Sequence, residues 1–270
     1  MAILTTEEII EATGGELLSD SSDKSENSMP FEGVSIDSRT ISGKEVFFAL
    51  RGERFDGHDF LDSALSKGHG AVIDSKPGTI PKGKTVIYVK DTLKALQDVA
   101  HFLRVRRNIP VVAITGSNGK TTTKEMTYRI LSRRFNVLKN EGNLNNHIGL
   151  PLSITRLAPS DEAVVLELGM SGSGEIMRLC EIAAPTHGVI TNIGVAHIGK
   201  LSSLASIRSA KLEILHGLAV AVLNADDSFL MEGVKGFDGK VITFSINNDS
   251  HVKAERIFTT ERGSNFTLCL

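Results

Sequence analysis

The stretch Val111-Val112-Ala113-Ile114-Thr115-Gly116-Ser117-Asn118-Gly119-Lys120-Thr121 decides how the chain is read. Four apolar residues make a buried strand, a glycine-bounded turn follows, and a helix runs on from Thr122. That order aims main-chain N–H groups and a helix N-terminus at one point, which is how polyphosphates are cradled. Gly116, Ser117, Asn118 and Gly119 would then wrap the phosphates. Lys120 would reach the β- and γ-phosphates, and Thr121 would offer its hydroxyl to Mg2+. The full phosphate-loop pattern has a glycine where this chain has Ile114, so the match is a shortened G-x-x-G-K-T. The flanking strand and helix carry the nucleotide assignment; the bland alternative is a glycine-rich turn with a solvated lysine.

Downstream, apolar runs and helical patterns alternate. Strands are expected at Ala163 to Leu168, Gly188 to Ile193 and Val220 to Leu223, and helices from Gly174 and over Ser202 to Leu218. This βαβ rhythm implies a mostly parallel sheet covered by helices. Val241 to Phe244, Val252 to Phe258 and Phe266 to Leu270 then read as strands without intervening helices. Glu167 stands near the C-terminal end of its strand, the sheet edge at which open α/β folds bind ligands. It is either placed for a metal or a solvated strand-end carboxylate, since a buried unpaired charge is costly. His197 follows the next strand at the same edge, as a ligand or as a hydrogen-bonded loop residue. Lys211 falls in the middle of the apolar stripe formed by Leu204, Ile207, Ile214, Leu215 and Leu218. It either snorkels to the rim or is desolvated with a lowered pKa. A neutral lysine amine can take up CO2 as a carbamate, an anionic oxygen ligand suited to Mg2+.

Upstream, Thr5 and Glu8 have the spacing of a capping box and Gly14-Gly15 the place of a helix stop. Asp20 to Ser28 reads as loop, and short apolar runs around Ser42-Gly43, a helix over His58 to Lys67 and the run Ala71-Val72-Ile73 complete a small mixed α/β domain, residues 1–88. Asp91 caps a helix with Leu93, Leu96, Val99, Ala100 and Leu103 on one face, and the boundary is set before it, giving a second domain over 89–270.

Composition bounds the rest. The 270 residues are 41% hydrophobic and 23% charged, which excludes a disordered chain. No run of about 18 apolar residues occurs, and the N-terminus turns acidic at Glu7 and Glu8, so neither a membrane span nor a secretory leader is expected. Cys180 and Cys269 match no metal or disulfide framework, which points to the cytoplasm. A formal charge of −2 with 5% aromatics and no Trp argues against a nucleic-acid partner.

Together these pieces resemble the Mur ligase family, ATP-dependent enzymes that extend the peptide of the cell-wall precursor. Asp37-Ser38-Arg39, Gly43, Phe47-Phe48-Ala49-Leu50-Arg51-Gly52 and Phe55-Asp56-Gly57-His58-Asp59-Phe60 resemble the UDP-binding N-terminal domain of members that add the third and the last amino acids. Asn140-Glu141-Gly142-Asn143-Leu144-Asn145-Asn146-His147-Ile148-Gly149, Glu167-Leu168-Gly169-Met170 and Thr191-Asn192-Ile193-Gly194-Val195-Ala196-His197-Ile198 resemble the members that add D-alanyl-D-alanine.

The resemblance implies a UDP-binding domain followed by a phosphate-loop ATPase domain, with ATP and Mg2+ as cofactors. It implies UDP-N-acetylmuramoyl-tripeptide and D-alanyl-D-alanine as substrates of a peptide-bond-forming ligase acting as a monomer. Lys120, Glu167, His197 and Lys211 become the catalytic set, with Thr121, Glu167, His197 and carbamylated Lys211 around the metal. Ser38 and Arg39 join the uridine-nucleotide site, and Asn143, Asn145 and Asn146 line the passage from substrate to nucleotide. Family members continue into an adenine-holding segment and a third domain that these residues do not include, so the chain is expected to be inactive in ligation by itself. The rival readings are the third-residue ligase, which typically has an acidic residue where Ala196 stands, a folate polyglutamating ligase, and a non-catalytic UDP-sugar-nucleotide binding module.

Overall fold

The computed structural model describes residues 3–18, 30–194, 203–261 and 263–270. In chain order it runs α1 (Thr6–Thr13), β1 (Glu16–Leu17), β2 (Gly33–Ser35), β3 (Glu45–Phe48), α2 (Leu61–Lys67), β4 (Gly70–Ile73), β5 (Thr85–Tyr88) and α3 (Thr92–Val105). Then come β6 (Val111–Thr115), α4 (Lys120–Leu131), β7 (Val137–Lys139), α5 (Gly149–Ile154), β8 (Ala163–Glu167), α6 (Glu175–Ala183), β9 (His187–Ile190) and α7 (Leu204–Leu212). Last are β10 (Val220–Asn224), α8 (Ser228–Gly233), β11 (Lys240–Ser245), β12 (Val252–Thr260) and β13 (Gly263–Cys269). By packing these form two units, residues 1–108 with 141–161, and residues 109–140 with 162–270.

The first unit is built on a sheet ordered β1-β5-β4-β3-β2, parallel except for β1 against β5. Strand side chains alternate between its faces. Val46, Phe48, Val72 and Ile87 pack with Ile9 of α1 and with Leu96, Val99 and Leu103 of α3. Phe47, Ala71, Ile73 and Val86 pack with Leu61, Ala64 and Leu65 of α2. Both faces are covered, which is why these short strands are nearly all apolar. The expected cap of α1 is present, with Glu8 N donating to Thr5 Oγ1 at 3.2 Å, Thr5 N to Glu8 Oε2 at 3.0 Å, and Gly14 ending the helix at φ +65°.

The packing partition departs from the boundary read at residue 88. Helix α3 lays its apolar stripe on the first sheet, and α5 joins it there, with Gln97 Nε2 donating to His147 O at 2.9 Å. Arg107 adds bonds from its guanidinium to the carbonyls of Ala158, Pro159 and Asp161. Burial of Leu96, Val99 and Leu103 contributes about 1.5–3 kcal/mol each. That sum is of the order of a whole small domain's stability, about 5–15 kcal/mol. A chain cut after residue 88 is therefore expected to show no cooperative thermal transition by circular dichroism. A sharp two-state melt of that piece would contradict the role given to α3.

The second unit is a sheet ordered β13-β12-β11-β10-β9-β6-β8-β7, parallel throughout except for the β12–β13 hairpin. Chain order reverses beside β6: β8 and β7 lie on one side, β9, β10 and β11 on the other. Strand β6 thus ends at the switch point where such sheets bind ligands. The last three strands follow one another without helices, as expected; one element is added and one expectation is corrected here. Helix α8, capped by Asp227 Oδ1 on Leu230 N at 2.9 Å, intervenes between β10 and β11. The helix expected to Leu218 stops at Leu212 and tightens into a single 3-10 turn over Glu213–Leu215.

Candidate functional site

The turn after β6 has the form its glycines require. Gly116 sits at φ +148°, and a Cβ there would lie 1.8 Å from Thr191 Oγ1, so no other residue fits. Gly119 opens α4 at φ +78°, a left-handed conformation natural to glycine. The loop is braced by the segment that leaves β9. Ser117 N donates to Asn192 O at 2.9 Å, Asn118 N to Asn192 Oδ1 at 3.1 Å, and Thr191 Oγ1 to Asn118 O at 2.6 Å. Gly194 N donates to Ser117 Oγ at 2.8 Å, and Ile193 N to Asp227 Oδ2 at 2.7 Å. Thr191 to Gly194 belong to a motif of the family resemblance, and their work as a brace is visible only once β9 is seen beside β6.

Lys120 folds back over the loop, its Nζ donating to Gly116 O at 2.9 Å and to Ser117 O at 3.4 Å. Thr121, one residue into α4, donates from Oγ1 to Glu167 Oε2 at 2.7 Å. The register that sets Ile114 beside Glu167 brings the end of β8 level with the phosphate loop. Glu167 is 3% exposed, so it is not a solvated strand-end carboxylate.

Lys211 is 1% exposed and does not snorkel. Burial pushes its ammonium down to about 8, and the positive charge of Lys120 adds to the shift. The turn that follows Lys211 is pinned by Glu213, whose carboxylate accepts from Gly174 N at 2.7 Å and Met177 N at 3.0 Å at the start of α6. A carboxylate suits a helix N-terminus.

Two further polar residues are buried here: Lys124, four residues along α4 from Lys120, which the sequence did not mark, and Asn140, just after β7, given no role although it opens a motif of the family resemblance. Lys124 Nζ donates to Asn140 O at 2.9 Å. Nothing in a polar helical stretch marks which lysine will be covered.

The other expected residues are placed as follows. His197 lies outside the described residues. Ser38 is buried in the first unit with its carbonyl accepting from Lys67 Nζ at 3.0 Å. Arg39 is exposed beside it, and its guanidinium holds the Asp37 carboxyl down to about 2. Asn146 Oδ1 accepts from Ile148 N and Gly149 N at the start of α5, and Asn143 O from Asn145 N at 2.8 Å. Asn143, Asn145 and Asn146 pack with the first unit, Gly116 to Thr121 with the second.

Chemically the second unit offers the main-chain N–H groups at the start of α4, a cation in Lys120 resting on the loop carbonyls, and a hydroxyl paired with a buried carboxylate. Among the described residues no three His, Cys, Asp or Glu side chains cluster as a metal cage. One carboxylate and one hydroxyl, both hard oxygen donors, nonetheless fit Mg2+, which keeps water and phosphate oxygens as its remaining ligands.

Residues 114–270 match the Mur ligase middle domain and residues 30–105 the Mur ligase family catalytic domain. The chain is 43% identical over 219 residues to the UDP-N-acetylmuramoyl-tripeptide-D-alanyl-D-alanine ligase of Synechocystis sp., covering 79% of this chain and 48% of that protein. It is 40% identical over 243 residues to the ligase of the same name from Escherichia coli, covering 88% and 53%. Among solved structures, MurF from Acinetobacter baumannii superimposes with a TM-score of 0.88 at 30% identity, covering 99% of this chain and 61% of that one. The MurF ligase of Thermotoga maritima in complex with ADP does so with a TM-score of 0.79 at 31% identity, covering 87% and 55%. The chain spans about half the length of the curated relatives it matches. No helix among the described residues is long and apolar enough to cross a membrane.

Proposed function

The chain belongs to the Mur ligase family, and from that premise we propose that it supplies the UDP-substrate unit and the ATP-binding unit of a ligase that adds D-alanyl-D-alanine to UDP-N-acetylmuramoyl-tripeptide. The observation that carries the reading is the Thr121–Glu167 pair beside a braced phosphate loop. The names of the relatives supply the substrates, and the ADP held by the Thermotoga maritima ligase supports nucleotide binding at this loop.

In the proposed reaction the terminal carboxylate of the tripeptide attacks the γ-phosphorus of ATP, and the bond to the bridging oxygen breaks to release ADP. The amine of D-alanyl-D-alanine then attacks the acyl phosphate carbon, loses a proton and displaces inorganic phosphate. Such transfer rests on positioning and charge neutralisation more than on a strong protein base. The loop Gly116 to Gly119, its Ser117 and Asn118 amides held by Asn192, presents the amides of Gly119 and the start of α4 to the β- and γ-phosphates, and Lys120 leaves its carbonyl contacts to meet them. Thr121, Glu167, His197 and Lys211, the last as its carbamate, are the proposed holders of Mg2+. When bound, Mg2+ neutralises charge on the transferring phosphoryl group. Ser38 and Arg39 take the uridine nucleotide. The setting proposed is the cytoplasm and the active form a monomer, with no nucleic acid involved.

Calorimetric titration with UDP-N-acetylmuramoyl-tripeptide and with the corresponding dipeptide tests the substrate half. The tripeptide compound is expected to bind at least about tenfold tighter, a difference of about 1.4 kcal/mol. Arg39→Ala is expected to weaken it about tenfold by removing a charged donor, while leaving MgADP binding unchanged. Preference for the dipeptide compound would move the assignment to the third-residue ligase. Absence of binding to either would remove the UDP site from the first unit.

A further inference from the structure

We propose that Asn140, anchored by Lys124, is a positioning residue that sets the Glu167 carboxylate against Thr121 and thereby tunes the magnesium affinity of the phosphate-loop site. The inference rests on the reading of Thr121 and Glu167 as magnesium holders. Strand β7 ends at Lys139, paired with Val165, and so runs out before reaching Glu167. In a parallel ladder the N–H and C=O of one residue face the same neighbour. The side chain of Asn140 takes the place of the missing strand: its Oδ1 accepts from Glu167 N at 2.9 Å and its Nδ2 donates to Glu167 O at 3.0 Å. Asn140 is 0% exposed, so water does not compete for these bonds.

The carbonyl of Asn140 is held from the other side. Lys124 Nζ, 1% exposed, donates to it at 2.9 Å and lies 3.3 Å from Glu125 Oε1. Glu125 is held in turn by Lys139, at 2.7 Å from Oε2, and the two lysines keep its carboxyl below the usual carboxylate range. Lys124 stands one helical turn beyond Lys120 and three residues beyond Thr121. A continuous chain of contacts therefore runs from α4 through Lys124 and Asn140 to the main chain of Glu167. It closes through the 2.7 Å bond from Glu167 Oε2 back to Thr121 on the same helix. In this loop the hydroxyl and the carboxylate are two ends of one clamp, and Asn140 is the piece that fixes the carboxylate end. Every member belongs to the second unit.

The test compares ADP binding by calorimetry in Mg2+ and in EDTA, so it needs no turnover. Wild type is expected to bind MgADP more tightly than metal-free ADP. Asn140→Leu, close in volume and lacking both polar atoms, is expected to cut that magnesium enhancement at least fivefold while leaving metal-free ADP binding within about twofold. A merely structural residue would lower the melting temperature without changing the ratio. Lys124→Met, which leaves the Asn140 amide in place, is expected to give a smaller loss of the same kind, and it carries the test if Asn140→Leu does not fold. An unchanged ratio in a folded Asn140→Leu, or in Lys124→Met where that carries the test, overturns the proposal. Equal binding with and without Mg2+ by wild type would instead overturn the magnesium reading of Thr121 and Glu167 on which it rests.

Discussion

Lys120→Ala is expected to weaken MgATP binding by at least about 100-fold and, in a ligase that carries the family's third domain, to abolish acyl-phosphate formation, with UDP-substrate binding unchanged. The ammonium would make charge-assisted bonds to two phosphate groups, each worth about 1.5–3 kcal/mol, and no other described lysine is placed to replace it. Lys124, one turn along the helix, is committed to Asn140 and Glu125, and Lys211 is buried. Alanine also removes the bonds from Nζ to Gly116 O and Ser117 O, but the brace from Thr191 to Gly194, main-chain and side-chain bonds alike, remains. The melting temperature should therefore move little, and calorimetry with ATP and with the UDP substrate would read the two sites separately. Ordinary MgATP affinity in the variant would sink the phosphate-loop assignment.

The second large effect concerns Lys211. An ammonium buried in an apolar stripe and repelled by Lys120 is pushed down to about 8. At pH 7.5 about a quarter of such amines are neutral, against about one in a thousand for an ordinary lysine. The neutral amine attacks the carbon of CO2 and releases one proton, leaving an anionic oxygen pair where a cation stood. In 13C-bicarbonate a carbamate resonance is expected in wild type, growing as pH rises through 8 and absent in Lys211→Ala. The variant should lose at least about tenfold of the magnesium enhancement of ADP binding and, in a ligase that carries the family's third domain, about 100-fold or more in ligation. Acetate or propionate should restore part of the loss by entering the space left by the side chain. No carbamate signal in wild type together with full magnesium dependence in Lys211→Ala would end the hypothesis.

How much of this could be read from the residues alone depends on the range of the forces involved. The cap at Thr5 and Glu8 and the strand, turn and helix around Gly116 are local events and were legible. So was the anomaly of Lys211, because a helical stripe is a local pattern. The partner of a stripe is not. Helix α3 shows its apolar face plainly, yet nothing in that face says that it lies on the first sheet, and the boundary at 88 follows from that gap. Helices α5 and α8 are six residues each, too short for a period to register. Asn140 and Lys124 are polar residues whose burial depends on long-range partners, the main chain of Glu167 for one and the carbonyl of Asn140 for the other.

The partition of the chain also bears on how the molecule is made. Residues 141–161 return to the first unit after β6, α4 and β7 have begun the second. On a ribosome emitting about 5–20 residues per second, the first unit waits for residue 161 before α5 can seat on α3. Strand β6, meanwhile, is flanked by β8 and β9, both encoded later, so its phosphate loop has neither Glu167 nor the Thr191 to Gly194 brace when it emerges. Neither half can finish as an independent N-terminal-first domain. Nascent chains are therefore expected to carry a first sheet with all its strands but without α5, and a second sheet that lacks its centre until β9 is out, so nucleotide can serve as a folding ligand only after that point.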